Sequence, residues 1–355
     1  MKKINFSILI VFLFFATGFG QQLKVSYASS VYDKPFTGNV VVYMSKENSE
    51  PKNGMVGLER FPCYSVAVKN IKPGASVIID DTAASFPTTL SNIERGDYFV
   101  QVVWDRKLGG RSIAESSGNL YNPSEKINIT HDTKKVFPIV ATQMIPAVPA
   151  FKETEFVKEL KAPSALLTKF HGKEMTVDAA VILPAAYYKN PTKKFPVLFT
   201  VSGYGGDYHH YSGDTLSRPK MDTISVIKVY LDGNCALGHS VYANSDNNGP
   251  MGDALVKEFI PQLEKKYRCN GARLLTGHSS GGWTVLWLQT QYPKEFVGCW
   301  SSSPDPVDFK SFQKINLYED KNMFYDKDNS QRLVATVAGF FPWSTMKTFY
   351  QMEQV

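Results

Sequence analysis

Gly277-His278-Ser279-Ser280-Gly281-Gly282 is the stretch whose residue types and spacing could do chemistry. It lies between an apolar run, Ala272-Arg273-Leu274-Leu275-Thr276, and an aromatic one, Trp283-Thr284-Val285-Leu286-Trp287-Leu288. Strand, sharp turn and helix is the context in which a G-x-S-x-G motif presents its serine as a nucleophile. The turn is tight enough that the flanking side chains must nearly vanish, which accounts for Gly277 and Gly281. The Ser279 hydroxyl then stands above the sheet edge, near the N-terminus of the next helix, where backbone N–H groups can stabilise an oxyanion. The bland alternative is a plain glycine-rich turn.

A serine hydroxyl is a poor nucleophile unless a base takes its proton and donors hold the resulting oxyanion. Donors are well supplied. Gly203-Tyr204-Gly205-Gly206-Asp207 follows a strand-like run ending at Ser202, and the expected pair is the backbone N–H of Tyr204 with that of Ser280. The competing reading of this loop is a flexible strand-to-helix turn. His209 and His210 follow in it, and His239 stands on a loop after a later strand. Each is either a substrate contact or a solvated or packing histidine, and no third ligand at metal spacing accompanies them, so neither a metal nor another cofactor is expected.

The base is harder to find. The chain order for this motif is nucleophile, acid, histidine, yet no histidine follows His278. Asp305, in Ser301-Ser302-Ser303-Pro304-Asp305-Pro306, follows a predicted strand and is the nearest acid candidate. A route in which His209, His210 or His239 replaces the base breaks the usual order. Arg332 to Gly339 predicts one further strand with no carboxylate at its end, and Ser344 to Val355 reads as the start of a helix without a C-cap. The sheet thus reads as unfinished at its C-terminal end. The favoured explanation is a truncated version of a longer hydrolase; the other is a naturally shortened protein that has lost full triad chemistry.

The elements that must position these residues lie between about 149 and 355. Thr176 to Pro184, Phe195 to Ser202, Thr223 to Tyr230 and Ala272 to Thr276 are strand-like, and Phe195 to Ser202 is apolar enough to be covered on both faces. In Gly252 to Tyr267, Leu255, Phe259, Leu263 and Tyr267 repeat every four residues, with Val256 and Ile260 beside them, and Pro261 should kink the helix. Strand, helix, strand, elbow, helix and strand (Phe296 to Ser301) predict a doubly wound, mostly parallel α/β sheet. From residue 21 to 148 short β-rich runs alternate with turns and no long helical pattern, which predicts an all-β sandwich of immunoglobulin-like type. Pro146 and Pro149 stiffen the linker between the two.

Lys2 and Lys3, the apolar run Ile8 to Phe15 and the small residues before Gln21 predict a signal peptide over residues 1–20, hence a secreted or periplasmic protein. No later segment is long and apolar enough to span a membrane. The net charge of +6 is scattered, which argues against a nucleic-acid partner. Cys63, Cys235, Cys269 and Cys299 fit no metal motif and are equally readable as buried thiols or as bridges. Oligomeric state is not legible.

From about His171 to Phe309 the chain resembles the esterase branch of the α/β hydrolases, the group that includes esterase D, feruloyl esterases and enterochelin-esterase-like proteins. The resemblance is carried by the strand end at Pro184, Phe195 to Gly206, Tyr230-Leu231-Asp232-Gly233, the helix with Pro261, Gly277 to Gly282, and Ser301 to Pro304. It implies serine-dependent cleavage of a carboxylic ester through Ser279 and the Tyr204 and Ser280 amides. The substrate would be a small molecule or a carbohydrate carrying an acyl or feruloyl group. Members often carry an N-terminal β-sandwich. The alternatives are a non-catalytic binding or accessory protein on a hydrolase scaffold and, more weakly, a serine peptidase, for which the N-terminal strands are too few to build a propeller.

Overall fold

The computed structural model describes residues 21–53, 62–108, 112–130, 135–221, 223–235, 238–312, 315–321 and 326–330, and the strands at 333–337 and 341–345. The signal-like stretch over residues 1–20 lies outside them. Two compact units result: one takes in the described residues up to Trp104 together with Leu120–Gln143, the other Asp105–Asn119 and the described residues from Met144 on. Among the described residues no helix is long and apolar enough to cross a membrane.

The first unit is built from strands in two sheets. Gln22–Tyr27 pairs antiparallel with Val77–Ile79 and parallel with Val136–Ala141, while Phe36–Ser45, Cys63–Ile71 and Gly96–Asp105 belong to a larger sheet. Alternating residues of both sheets, among them Leu23, Val25, Val40, Val42 and Val100, meet in one apolar core. Its centre is Trp104, with the rings of Tyr27 and Phe36 edge-on at 4.9 Å each.

The second unit carries a six-stranded sheet of β1 (Val157–Pro163), β2 (Thr176–Ile182), β3 (Phe195–Val201), β4 (Ile227–Leu231), β5 (Cys269–His278) and β6 (Gly298–Ser302). The spatial order is β1-β2-β4-β3-β5-β6. Pairings β1/β2 and β2/β4 are antiparallel and the other three parallel, as expected of a mostly parallel sheet. The chain leaves β3 toward β4 on one side and returns to β5 on the other. The crevice at the carboxyl ends of β3 and β5 is therefore the switch point where open α/β sheets bind ligands.

Between β4 and β5 runs helix α2, continuous through Met251–Ala254, Leu255–Phe259 and Ile260–Lys266; α1 (Ala165–His171) precedes it and α3 (Ser280–Gln291) follows β5. The expected apolar face of α2 is buried at Leu255, Phe259, Leu263 and Tyr267. Pro261 leaves its mark on the turn before it. It has no N–H and its ring would crowd the carbonyl of Lys257, and the helix widens into a π-turn over Leu255–Phe259, where the Ile260 N–H reaches the Leu255 carbonyl. A carboxylate on this helix also serves its neighbour: Glu258 accepts from the Ser164 hydroxyl and from the Leu166 N–H at 3.1 Å, closing the N-terminus of α1.

Three expectations are corrected. Thr223 to Tyr230 is not one strand: Ile224–Ser225 forms a hairpin with Lys220–Met221, and only β4 enters the sheet. Strand β3 is fully buried on one face alone, at Phe195, Val197, Phe199 and Val201, while Pro196, Leu198 and Thr200 stay half-buried. The described residues cover the second face only over β1, β2 and β4, through Tyr208, Phe151 and Tyr211 packed on Val157, Ala180, Ile182 and Tyr230. Finally, Ser344 and Thr345 end a strand, Phe341–Thr345, paired with Leu333–Val337, so no helix begins at Ser344; residues 346–355 lie outside the described residues. All four cysteines are free thiols, and burial pushes those of Cys63 and Cys269 up to about 12.

Asp178 on β2 faces Lys161 across the antiparallel pair, yet its Oδ1 is buried with no hydrogen-bond partner among the described residues. Burial outweighs the lysine and holds its carboxyl above the ordinary range. The folded chain therefore keeps this proton more tightly than the unfolded chain, and stability falls as pH rises through the window between the two pKa values and stays lower above it. Asp178→Asn is expected to be more stable than the native protein at pH 7 in urea denaturation, and the difference should vanish below the unfolded aspartate pKa of about 3.9.

Candidate active site

Ser279 sits between β5 and α3 with φ 56° and ψ −125°, a region that non-glycine residues avoid. The surroundings over-determine this backbone. The Ser279 N–H donates to the Ser302 carbonyl at the end of β6 (3.0 Å), and its own carbonyl accepts the Trp283 N–H (3.1 Å) as the first bond of α3. The N–H groups of Ser280, Gly281 and Gly282 therefore lead the helix, where its dipole favours negative charge.

Each glycine of the motif answers a different contact. A Cβ on Gly277 would lie 2.1 Å from the Gly281 carbonyl oxygen, one on Gly281 2.2 Å from the Val201 oxygen, and one on Gly282 2.7 Å from the Ser302 oxygen. The helix start is thus pressed on the ends of β3, β5 and β6 at once. Ser301 Oγ adds a bond to the Gly282 carbonyl at 2.9 Å.

The loop after β3 closes on the same point. A Cβ on Gly203 would stand 3.1 Å from Ser279 Cβ and 3.6 Å from its Oγ, so the Gly203–Tyr204 peptide borders the serine. Gly205, at φ +91°, turns the loop, and the Gly206 N–H returns to the Gly203 carbonyl at 3.1 Å. The backbones of Tyr204 and Ser280, paired from sequence, therefore flank Ser279 from two sides.

Of the three histidines, two border this loop. His209 and His210 line a cavity of about 390 Å³ with Gly205, Gly206, Asp207 and Tyr230. The His209 ring packs edge-on against Tyr208 (4.5 Å) and Phe151 (5.5 Å), its backbone N–H capped by Asp207 Oδ1 at 2.7 Å. His210 lies edge-on to Tyr211 at 5.3 Å. The His239 ring instead accepts the Val241 N–H on Nδ1 at 2.9 Å and lies against Gly233, where an added Cβ would be 2.1 Å from Nε2. Among the described residues no imidazole is hydrogen-bonded to Ser279. Asp305 follows β6, half-buried, without a hydrogen bond or ion pair among the described residues.

Sequence reasoning missed Tyr230, whose phenol burial holds above its ordinary pKa. Its signal was present: in Ile227–Leu231 the alternation sets Lys228 and Tyr230 on the face opposite Ile227, Val229 and Leu231. Lys228 Nζ bonds the Tyr211 hydroxyl at 2.8 Å and lies over both tyrosine rings. Among the described residues no group of His, Cys, Asp and Glu could hold a metal.

Because backbone rather than a flexible side chain opposes the Gly277 position, Gly277→Ala is expected to destabilise the protein by at least about 1–3 kcal/mol, read as a lower urea midpoint at unchanged slope.

Residues 170–340 match the family model described as "Putative esterase". Among solved structures, a ferulic acid esterase is 19% identical over 49% of this chain and 74% of its own, with a TM-score of 0.34. An S-formylglutathione hydrolase from Agrobacterium tumefaciens is 16% identical over 45% of this chain and 63% of its own (TM-score 0.37). A ferulic acid esterase from Anaeromyces mucronatus is 21% identical over 45% and 65% (TM-score 0.32). The match spans less than two thirds of the last two. No curated protein matches. Over residues 170–340 the chain is thus similar to the esterase branch of the α/β hydrolases, with a mostly parallel sheet and a serine at the strand-to-helix turn after β5.

Proposed function

We propose that this protein is an exported serine esterase that works through an acyl-enzyme on Ser279. The observation that carries the reading is the strained Ser279 backbone at the start of α3, with the Gly203–Tyr204 peptide against its side chain. In the first step Ser279 Oγ bonds to the ester carbonyl carbon. The carbonyl oxygen becomes an oxyanion held by the Tyr204 and Ser280 N–H groups, and the alcohol leaves with a proton. Water then cleaves the acyl-serine and restores the hydroxyl. Strain at Ser279 is useful here because the hydroxyl needs no reorganisation to meet the carbonyl.

A base is still required, and this reading assigns it to a group other than the described imidazoles. Asp305 remains its acid candidate, since it follows β6 and has no competing partner among the described residues. The substrate is a carboxylic ester of a small molecule or a carbohydrate; the polar groups of Asp207, His210 and Tyr230 around the cavity beside the loop support a hydroxylated portion there. Export rests on the signal-like residues 1–20, and an immunoglobulin-like class for the first unit is supported by two sheets sharing one core.

A fluorophosphonate probe should label Ser279, located by peptide mapping, and hydrolysis of a short p-nitrophenyl ester should fall at least ~10³-fold in Ser279→Ala. A folded native protein that neither labels nor hydrolyses would favour the non-catalytic accessory reading.

A further inference from the structure

The loop that leaves β4 is strained where no substrate chemistry has been assigned. Val241 and Tyr242 have φ of 47° and 46°, and the Ala243 N–H returns to the Ser240 carbonyl at 3.4 Å. A turn with both central residues at positive φ usually takes Asn-Gly; a β-branched valine there is a marked outlier. Strain of this kind persists only when its neighbours enforce it.

Two anchors enforce it. Tyr242 is fully buried, and its hydroxyl donates to the Asp232 carbonyl at 2.5 Å. His239 Nδ1 accepts the N–H of Val241, two residues on, at 2.9 Å, the bond that an Asx turn makes with a carboxylate or amide oxygen. The imidazole lies on Gly233, where a Cβ would be 2.1 Å from Nε2, and the Ser240 N–H reaches the Gly233 carbonyl at 2.9 Å. These contacts tie down a short hairpin in which Asn234 pairs with His239 and Cys235 with Gly238.

Gly238 is where the hairpin meets the oxyanion loop. At φ +102°, a Cβ on it would be 2.8 Å from Tyr204 Cε2, so the tyrosine ring rests directly on this backbone. Tyr204 is 59% exposed. We propose that the paired segments Asn234–Cys235 and Gly238–His239 are a backstop that orients the Gly203–Tyr204 peptide, and that His239 is a positioning residue for it rather than a substrate contact or a base. This rests on the esterase reading above insofar as that peptide faces an oxyanion. A neutral acceptor in the same place should then do the work of the imidazole.

The test compares His239→Ala with His239→Asn, whose amide oxygen can accept the same N–H. With a short p-nitrophenyl ester, His239→Ala should lower kcat by ~10–100-fold with KM nearly unchanged, and speed amide hydrogen exchange in residues 203–206. His239→Asn should return both toward the native values. Tyr204→Ala, at an exposed side chain, should act on kcat and exchange in the same direction. Combined with His239→Ala it should be less than additive. A raised KM at unchanged kcat, an Asn variant as inactive as the Ala variant with native exchange, or strictly additive effects would each overturn the proposal. If the native protein neither hydrolyses the ester nor reacts with the fluorophosphonate, the esterase reading fails, while the exchange comparison still decides whether His239 orders the loop.

Discussion

The contact on which the second unit depends is that between the first turn of α3 and the carboxyl ends of three neighbouring strands. Three backbone approaches too close for any Cβ, at Gly277, Gly281 and Gly282, let the helix begin directly above the sheet. Backbone-to-backbone packing leaves little room to relax, so the turn at Ser279 must absorb the mismatch between strand and helix directions, and it does so in a sparsely populated conformation. The Ser302 carbonyl, by accepting the Ser279 N–H, makes β6 part of that restraint. Strain at Ser279 and orientation of the leading N–H groups are therefore consequences of one packing arrangement.

Around that fixed point the surrounding loops are held by polar contacts. The Gly203 loop needs its glycines because Ser279 and Ser202 stand against it: a Cβ at Gly206 would come within 2.0 Å of Ser202 Oγ. Tyr208 closes the other side, donating to Glu159 Oε1 at 2.7 Å while its ring stacks with Phe151. Arg273 at the start of the central part of β5 is paired with Glu264 of α2 and Glu295 beyond α3, linking both helices to the strand that carries the serine. Such half-buried pairs contribute register more than stability, because desolvation offsets much of their attraction.

The π-turn in α2 shows how the chain accommodates a proline inside a helix. Pro261 cannot donate to Lys257, and the chain meets that demand by shifting a carbonyl partner. The apolar stripe from Leu255 to Tyr267 stays buried through the irregularity, since burial of Phe259 and Leu263 outweighs one poorly placed hydrogen bond.

Much of this was readable in the amino-acid sequence. Periodicity located α2, apolar runs located β3 and β5, and G-x-S-x-G-G located the turn, because residue spacing and chain conformation are linked by short-range geometry. The same reasoning could not separate His239 from His209 and His210. All three stand on loops after strands, and only the folded chain decides that one ring accepts a backbone N–H two residues away while the others border a cavity. Nor could it see why a third glycine stands at 282, since the Ser302 carbonyl opposing it is brought there by β6. Composition and period determine which segments are strands and helices and where a tight turn must fall. Which backbone groups meet across that turn is set by the order of strands in the sheet, a long-range choice that no local pattern encodes.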